Sequence, residues 1–240
     1  MAGTNQHWQV GRHGALEQLE EGLLTIAGEI AMPLGRFPRR MTVVGLAGGR
    51  TAIWSAIPLR EPEMARIEAL GAPAFLIVPG IAHRLDIKPW KARYPRAIVL
   101  CPPGARDKVE EVVPVDSTAG DFEDSSVEMQ IVPGVGGREA ALVVRRQATT
   151  LVVNDVLANV RHPDGIGAQI MARAFGFGVR RPRMPRVAAR MLVEDKAALA
   201  AGFRGWASEP RLARIVVSHG DVIADRPAAL LERIAADLEG

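Results

Sequence analysis

Two stretches of the chain have the same sequence pattern, an apolar run followed by polar residues, and this pattern decides the fold. Residues 151–157 read LVVNDVL, and residues 215–223 read IVVSHGDVI. In each stretch a short apolar run, which predicts a buried β-strand, ends in polar side chains. Asp155 follows the first run and His219 follows the second. Because side chains at the carboxyl ends of strands gather at one edge of a layered α/β sheet, Asp155 and His219 are expected to share a ligand-binding edge.

A third strand end carries side chains of the same kind. Residues 75–78, FLIV, predict a buried strand, and His83 and Asp86 follow it. Imidazole and carboxylate groups are the ligands of hydrolytic zinc sites, so His83, Asp155 and His219 are candidate metal ligands. The alternatives are that each histidine is a hydrogen-bonded structural residue and that Asp155 caps the turn after its strand.

The rest of the chain predicts strands and helices arranged in layers. Residues 41–46 and 51–57 predict a β-hairpin, whereas residues 81–95 predict a loop. Apolar periodicity predicts helices over residues 61–70, 106–113, 166–177, 184–192, 196–207 and 227–238. This order is typical of an α/β or α+β domain whose helices cover its sheets. Residues 1–36 are expected to form an N-terminal extension that pairs as an edge strand or wraps a neighbour.

Length and composition exclude several classes of protein. Of the 240 residues, 48% are hydrophobic and 24% are charged, as in a globular domain rather than a disordered chain. The first residues have no apolar core of signal-peptide length, and no apolar run is long enough to cross a bilayer. The single cysteine, Cys101, cannot form an internal disulfide. These observations predict a cytoplasmic protein.

Two further features are better explained as structure than as chemistry. Residues 134–137 read GVGG, but their spacing matches neither a dinucleotide motif nor a P-loop, so a tight turn between strands is expected. Cys101 lies in an apolar run before two prolines, where a buried and unreactive thiol is expected. A serine hydrolase is disfavoured because the chain has no G-x-S-x-G motif.

The charge of the chain is unevenly distributed. The net charge is +3, and residues 173–190, the basic segment, contain six arginines and no acidic residue. The segment is expected to be a solvated face, a lid or an oligomer interface. Nucleic-acid binding is not expected, because the net charge is small and few aromatic residues lie among the arginines.

These residues, in this order, resemble the metallo-β-lactamase superfamily from about Met41 to Leu238. LVVNDVL looks like the strand and turn that carry the bridging aspartate of that family. IVVSHGDVI looks like the strand that ends in its last metal-binding histidine. The resemblance implies a single domain over residues 1–240, folded as a four-layer αββα sandwich of two mixed sheets with helices on both outer faces. It carries Asp155 and His219 over as metal ligands.

The first metal-binding motif of that family, H-x-H-x-D-H, is eroded in this chain. His83 falls between the ligand positions of the motif, which are occupied by Gly80, Ala82, Arg84 and Leu85. Val135 stands where the next histidine is expected. The resemblance therefore implies a degenerate site, which holds one metal ion rather than two or none at all.

The first functional hypothesis is a metal-dependent hydrolase acting on a small molecule that the sequence does not identify. His83, Asp155 and His219 would hold one zinc, iron or manganese ion, which lowers the pKa of a bound water. Asp86 or Asp221 would transfer protons.

The second hypothesis is a non-catalytic scaffold that has lost its metals. In that case Arg84 would pair with Asp155 in place of a metal, as a buried ion pair. The basic segment would then bind a ligand, a partner or a second copy of the chain.

Overall fold

The computed structural model describes residues 4–32 and 35–240, which form two β-sheets. The first sheet has its six strands in chain order: β1 (Glu17–Glu20), β2 (Leu23–Met32), β3 (Gly35–Leu46), β4 (Arg50–Trp54), β5 (Ala72–Ile77) and β6 (Ile98–Leu100). Strands β1 to β4 pair antiparallel, and β5 and β6 continue the sheet in parallel. The second sheet has the order β10-β9-β8-β7, formed by β7 (Val127–Ile131), β8 (Ala140–Arg145), β9 (Thr149–Val153) and β10 (Leu212–Val217).

The helices lie outside the two sheets. The first sheet is covered by α1 (Glu61–Leu70), α2 (Ile87–Arg93) and α3 (Arg106–Glu110), with a short 3-10 helix at Pro103–Ala105 before α3. The second sheet is covered by α5 (Arg186–Leu192), α6 (Lys196–Ala207) and α7 (Pro227–Glu239). Helix α4 (Ile166–Phe175) contacts strand β3. None of the helices in the described residues is long and apolar enough to span a membrane.

Successive side chains along the central strands face opposite sides of the sheet, and this alternation produces the layers. In β8, Leu142 and Val144 face the core between the sheets, whereas Ala141 and Val143 face the helices on the outer side. Strand β9 alternates in the same way. Both faces of these strands are buried, which is why their sequences are continuously apolar rather than alternating. The expected four-layer αββα sandwich is confirmed.

Most predicted elements are present, but one stretch was assigned wrongly and several elements end at other residues than predicted. The hairpin forms between β3 and β4, with Leu46 opposite Arg50. Residues 134–137 form the turn between β7 and β8, and Cys101 is buried, which raises the pKa of its thiol to about 11. The stretch predicted as a loop over residues 81–95 contains α2, and α3 ends at Glu110 rather than at residue 113.

The described part of residues 1–36 contributes strands to the first sheet, whereas residues 1–3, 33 and 34 lie outside the described ranges. Strand β2 pairs with β3 over ten positions, from Leu23 opposite Val44 to Met32 opposite Gly35. Strand β1 pairs with β2 and is the edge strand of that sheet as far as the structure describes it. This long pairing fixes the start of β3, and one carbonyl of β3 serves the site described next.

Candidate metal centre

Three loops that follow β-strands bring His83, Asp155 and His219 together. Strands β9 and β10 are parallel, with Val153 opposite Val217, and each is followed two residues later by Asp155 or His219. Parallel pairing therefore places these two side chains next to each other at the carboxyl edge of the second sheet. His83 comes from the loop after β5 in the first sheet. The site thus lies where the edges of the two sheets meet.

The three ligand atoms form a nearly equilateral triangle. The Nε2 atoms of His83 and His219 are 3.2 Å apart. The Oδ1 atom of Asp155 lies 3.4 Å from Nε2 of His83 and 3.1 Å from Nε2 of His219. Bonds of about 2.0–2.1 Å to a tetrahedral zinc ion place neighbouring ligand atoms about 3.3 Å apart. The triangle therefore has the size of one face of a zinc tetrahedron.

The second ring nitrogen of each histidine has its own partner. Nδ1 of His219 lies 2.8 Å from the carbonyl oxygen of Pro38, to which it donates a hydrogen bond. Nδ1 of His83 lies 2.9 Å from Oγ of Ser55. A ring that carries its proton on Nδ1 presents the lone pair of Nε2, the form that binds metal. The backbone of β3 and the end of β4 thus orient both histidines toward Asp155.

Burial and the mutual contacts of the three residues shift their pKa values. Burial opposes ionisation of Asp155, but the two histidines hold the pKa of its carboxyl well below the usual range. Burial likewise opposes protonation of His219, but the contact with Asp155 raises the pKa of its imidazole. Burial lowers the pKa of His83, and Asp155 offsets this only in part. The site therefore combines an ionised carboxylate with an imidazole, His83, that favours the neutral metal-binding form.

Aromatic rings and a buried ion pair surround the triangle. The ring of His219 packs against Phe37 and Phe177, at centroid distances of 5.1 and 6.0 Å. Arg39 forms an ion pair with Asp86, and its positive charge disfavours protonation of both histidines. The side chain of Asp155 is 20% exposed, compared with 7% for His83 and 9% for His219. Solvent therefore reaches the site mainly from the side of Asp155.

Glu139 contacts two of the loops that carry the candidate ligands. The sequence did not predict this residue as part of the site. Its Oε2 accepts hydrogen bonds from the backbone N–H of Asp155 at 3.1 Å and from the Asn154 side-chain amide at 2.9 Å. Its other oxygen lies against Gly80, where an added Cβ would be 2.0 Å away. Burial and the negative charge of Asp155 raise the pKa of Glu139 far above its ordinary value. The one feature of the sequence that could have indicated a role for Glu139 is its position as a charged residue directly before an apolar strand.

Glutamine at position 139 is expected to be tolerated, whereas alanine is expected to destabilise the protein. Glutamine keeps an oxygen for the N–H of Asp155 and for the amide of Asn154, and it resembles the neutral acid that a raised pKa favours. Alanine leaves two buried donors without an acceptor, at about 1–3 kcal/mol for each. Chemical denaturation of Glu139→Gln, Glu139→Ala and the wild type measures the difference.

The pH dependence of stability separates the two protonation states of Glu139. Since folding raises its pKa, the stabilisation from the neutral acid is present below the ordinary glutamate pKa and is lost as the pH rises through the raised value. The Glu139→Gln variant should lack this loss. A glutamine variant as unstable as the alanine variant would show instead that Glu139 is ionised in the folded protein.

The other predicted residues lie outside the triangle. The pairing of Arg84 with Asp155 is wrong, because Arg84 instead binds Glu111 and the carbonyl of Lys108. Asp86 is fully buried and is held by Arg39 and Asn5. Asp221 is exposed in the loop after His219. The contacts of Ser55 and the Pro38 carbonyl with the site, and the effect of the Arg39 charge on it, were not predicted, since no sequence pattern links these residues to it.

Structural comparison places the chain among known folds, although its sequence matches no protein-family model and no curated protein. The metallo-β-lactamase of Erythrobacter litoralis, with β-mercaptoethanol in its active site, aligns with a TM-score of 0.63 and 12% identity over 92% of this chain and 96% of that chain. The metallo-β-lactamase of Hirschia baltica aligns with a TM-score of 0.61 and 10% identity over 92% and 97%.

The mono-zinc form of the metallo-β-lactamase FIM-1 from Pseudomonas aeruginosa is similar as well. It has a TM-score of 0.59 and 12% identity, and the alignment covers 97% of this chain and 98% of that chain. The alignment thus spans nearly the whole of both chains. The chain therefore has the metallo-β-lactamase fold.

Proposed function

We propose that the protein is a metal-dependent hydrolase that holds a single zinc ion with His83, Asp155 and His219. The triangle of three Lewis-base atoms with edges of 3.1–3.4 Å carries this proposal. Without a cation, three electron-rich atoms at these distances would repel each other, unless a proton is shared among them. The mono-zinc form of FIM-1 supports the proposal, because it shows that a protein of this fold can hold one zinc ion.

Each residue of the candidate metal centre has a defined role in this proposal. His83, Asp155 and His219 would hold the zinc ion, which would act as a Lewis acid and activate water toward an ester, amide or phosphoester. The Pro38 carbonyl keeps the proton of His219 on Nδ1, and Ser55 orients His83. Glu139 holds the backbone of Asp155.

We assign different tasks to the two aspartates considered for proton transfer. The side chain of Asp86 is 0% exposed, and each of its oxygens has a hydrogen-bond donor, so we propose that it acts on the site through Arg39. Asp221 is exposed two residues after His219 and is the residue that we propose as the proton shuttle.

Metal analysis tests the proposal directly. Tag-free protein, incubated with zinc and then desalted, is expected to contain one zinc ion per chain by elemental mass spectrometry. The Asp155→Ala and His219→Ala variants should lose it, because removing one of three ligands costs at least as much affinity as the loss of an outer partner, about 10–100-fold. His162→Ala, which removes an exposed histidine outside the triangle, is the matched control and should retain the zinc.

Activity measurements complete the test. Zinc-loaded wild type and His162→Ala are expected to hydrolyse at least one member of a panel of nitrophenyl esters, anilides and phosphoesters, and Asp155→Ala is expected to be inactive. Absence of zinc from the wild type, or equal zinc in wild type and His219→Ala, would refute the metal site. Zinc binding without hydrolysis of any panel member would argue for a non-catalytic metal site.

A further inference from the structure

A cavity lined by arginines lies beside the candidate metal centre. We call it the arginine cavity; it is formed by the end of α4, the loop after it and the start of α5, and its volume is about 480 Å³. Five guanidinium-bearing residues line it: Arg173, Arg180, Arg181, Arg183 and Arg186. No acidic residue lines it. Five of the six arginines of the basic segment thus face one concave space.

In the part of the chain that the structure describes, the arginines of the cavity have no partner of opposite charge. Within the described ranges 4–32 and 35–240, none of the five forms an ion pair. Elsewhere in the protein, by contrast, Arg93, Arg145 and Arg204 each pair with two glutamates. Like charges gathered around one cavity repel each other, and a bound anion relieves that repulsion.

Backbone contacts connect the arginine cavity to the loop that carries Asp155. Gly178 lines the cavity with φ of +80°, and an added Cβ would lie 2.4 Å from the carbonyl oxygen of Ala158, in the loop that follows Asp155. Ala158 and Arg183 exchange two backbone hydrogen bonds of 3.0 and 3.1 Å. Phe177, the residue before Gly178, packs on the ring of His219. One wall of the cavity is therefore anchored directly to the loop that carries Asp155.

We propose that the arginine cavity binds a compact, multiply charged anion, such as the phosphate or diphosphate group of a small molecule. Planar guanidinium groups bind phosphate oxygens in pairs, and several of them around one space match two or more negative charges. A volume of about 480 Å³ is that of a small-molecule site. Its role in catalysis rests on the hydrolase proposed above: the anion is then the part of the substrate that lies next to the bond to be cleaved.

The cavity fits a small anion better than a nucleic acid. The net charge of the chain is only +3, whereas nucleic-acid binding surfaces are generally extended and strongly basic. Single-stranded nucleic acids also need exposed aromatic rings on which bases stack. Phe177, next to the lining residue Gly178, instead packs against Phe37 and His219, which leaves Phe175 as the one exposed ring of the basic segment and thus a single stacking position.

Calorimetric titration with sodium diphosphate tests the proposal. The protein is first treated with EDTA and desalted, so that no metal can bind the probe. Wild type is expected to bind one diphosphate per chain. The Arg180→Gln/Arg186→Gln variant should bind it at least about tenfold more weakly, because two charge-assisted contacts are lost. Arg60→Gln/Arg190→Gln, which removes two exposed charges outside the cavity, is the matched control and should bind as the wild type does.

The remaining measurements distinguish this proposal from the proposed metal site and from a nucleic-acid interface. Zinc content is measured on separate, zinc-loaded samples, so failure of the metal site and failure of the arginine cavity give different results. Absence of saturable diphosphate binding by the wild type, or equal weakening in both double variants, would overturn the proposal. A 20-nucleotide single strand that binds more tightly than diphosphate, and loses affinity in Arg180→Gln/Arg186→Gln, would overturn it in favour of a nucleic-acid interface.

Discussion

Replacing Asp86 with alanine is expected to lower the free energy of unfolding by about 3–5 kcal/mol, because it leaves a buried guanidinium without its counter-charge. The side chain of Arg39 is 9% exposed and that of Asp86 is 0% exposed. Asp86 also accepts a hydrogen bond of 2.6 Å from Asn5, which the substitution removes. Nε of Arg39 already lacks a partner within the described part of the chain, so Asp86 is its main compensation.

The same substitution should weaken zinc binding. The positive charge of Arg39 already disfavours protonation of His83 and His219, so it acts on the site that would hold the dication. Without Asp86 that charge is uncompensated, and the affinity for zinc is expected to fall by roughly tenfold, as for other partners outside the ligand set. Zinc titration with a competing chelator measures this at a temperature where the variant remains folded.

Two controls make the Asp86 prediction specific. Glu123→Ala breaks the exposed ion pair between Arg50 and Glu123, 2.9 Å long, and should cost no more than about 1 kcal/mol. The double variant Arg39→Met/Asp86→Leu removes both buried charges and is expected to recover most of the lost stability. If Asp86→Ala unfolds at the same denaturant concentration as the wild type, the pair does not stabilise the protein.

Replacing Gly220 with alanine is expected to cost about 3 kcal/mol or more and to abolish zinc binding. Gly220 has φ of +110°, which a residue with a Cβ rarely adopts. The added Cβ would lie 2.0 Å from the carbonyl oxygen of Asn159. That carbonyl cannot move freely, since it accepts a hydrogen bond from the N–H of Asp221, and the N–H of Asn159 donates to the carbonyl of His219. The strain must therefore displace His219, the neighbour of Gly220.

A glycine on the surface of α6 provides the matched control. At Gly205 an added Cβ meets no atom within 4 Å, and the residue lies inside a helix. Gly205→Ala should therefore stabilise the protein by about 0.5–1 kcal/mol and leave zinc binding unchanged. Thermal unfolding and zinc titration of both variants test the pair. Normal zinc affinity in a folded Gly220→Ala protein would mean that the backbone at His219 is more adaptable than its contacts indicate.

Much of the fold could be predicted from local pattern. The bounds of α6 match the prediction at both ends, and the hairpin of β3 and β4 is where its turn residues place it. These features depend on neighbours in the sequence, because the period of apolar residues and the turn chemistry are local properties. Helix α2 was missed for the same reason, since its sequence, IKPWKAR, is short and contains a proline. Its burial against the first sheet, through Trp90, stabilises it instead.

The candidate site could be predicted in part. The placement of Asp155 and His219 after two apolar strands was sufficient to bring them together, because parallel pairing fixes their relative position. His83 was grouped with them because it also follows a strand, but nothing in the sequence gave the edges of 3.1–3.4 Å. Those distances depend on how the edges of two sheets meet.

The sequence by itself determined most of the strands and helices and the three residues that meet at the sheet edge. Only the tertiary structure decided what surrounds them: the Pro38 carbonyl at His219, Ser55 at His83, Glu139 beneath Asp155, and the pairing of Arg39 with Asp86. His219 and Pro38 are 181 residues apart in the chain. Contacts over such separations leave no local period, since they are fixed by the packing of layers and by the need of buried polar groups for partners.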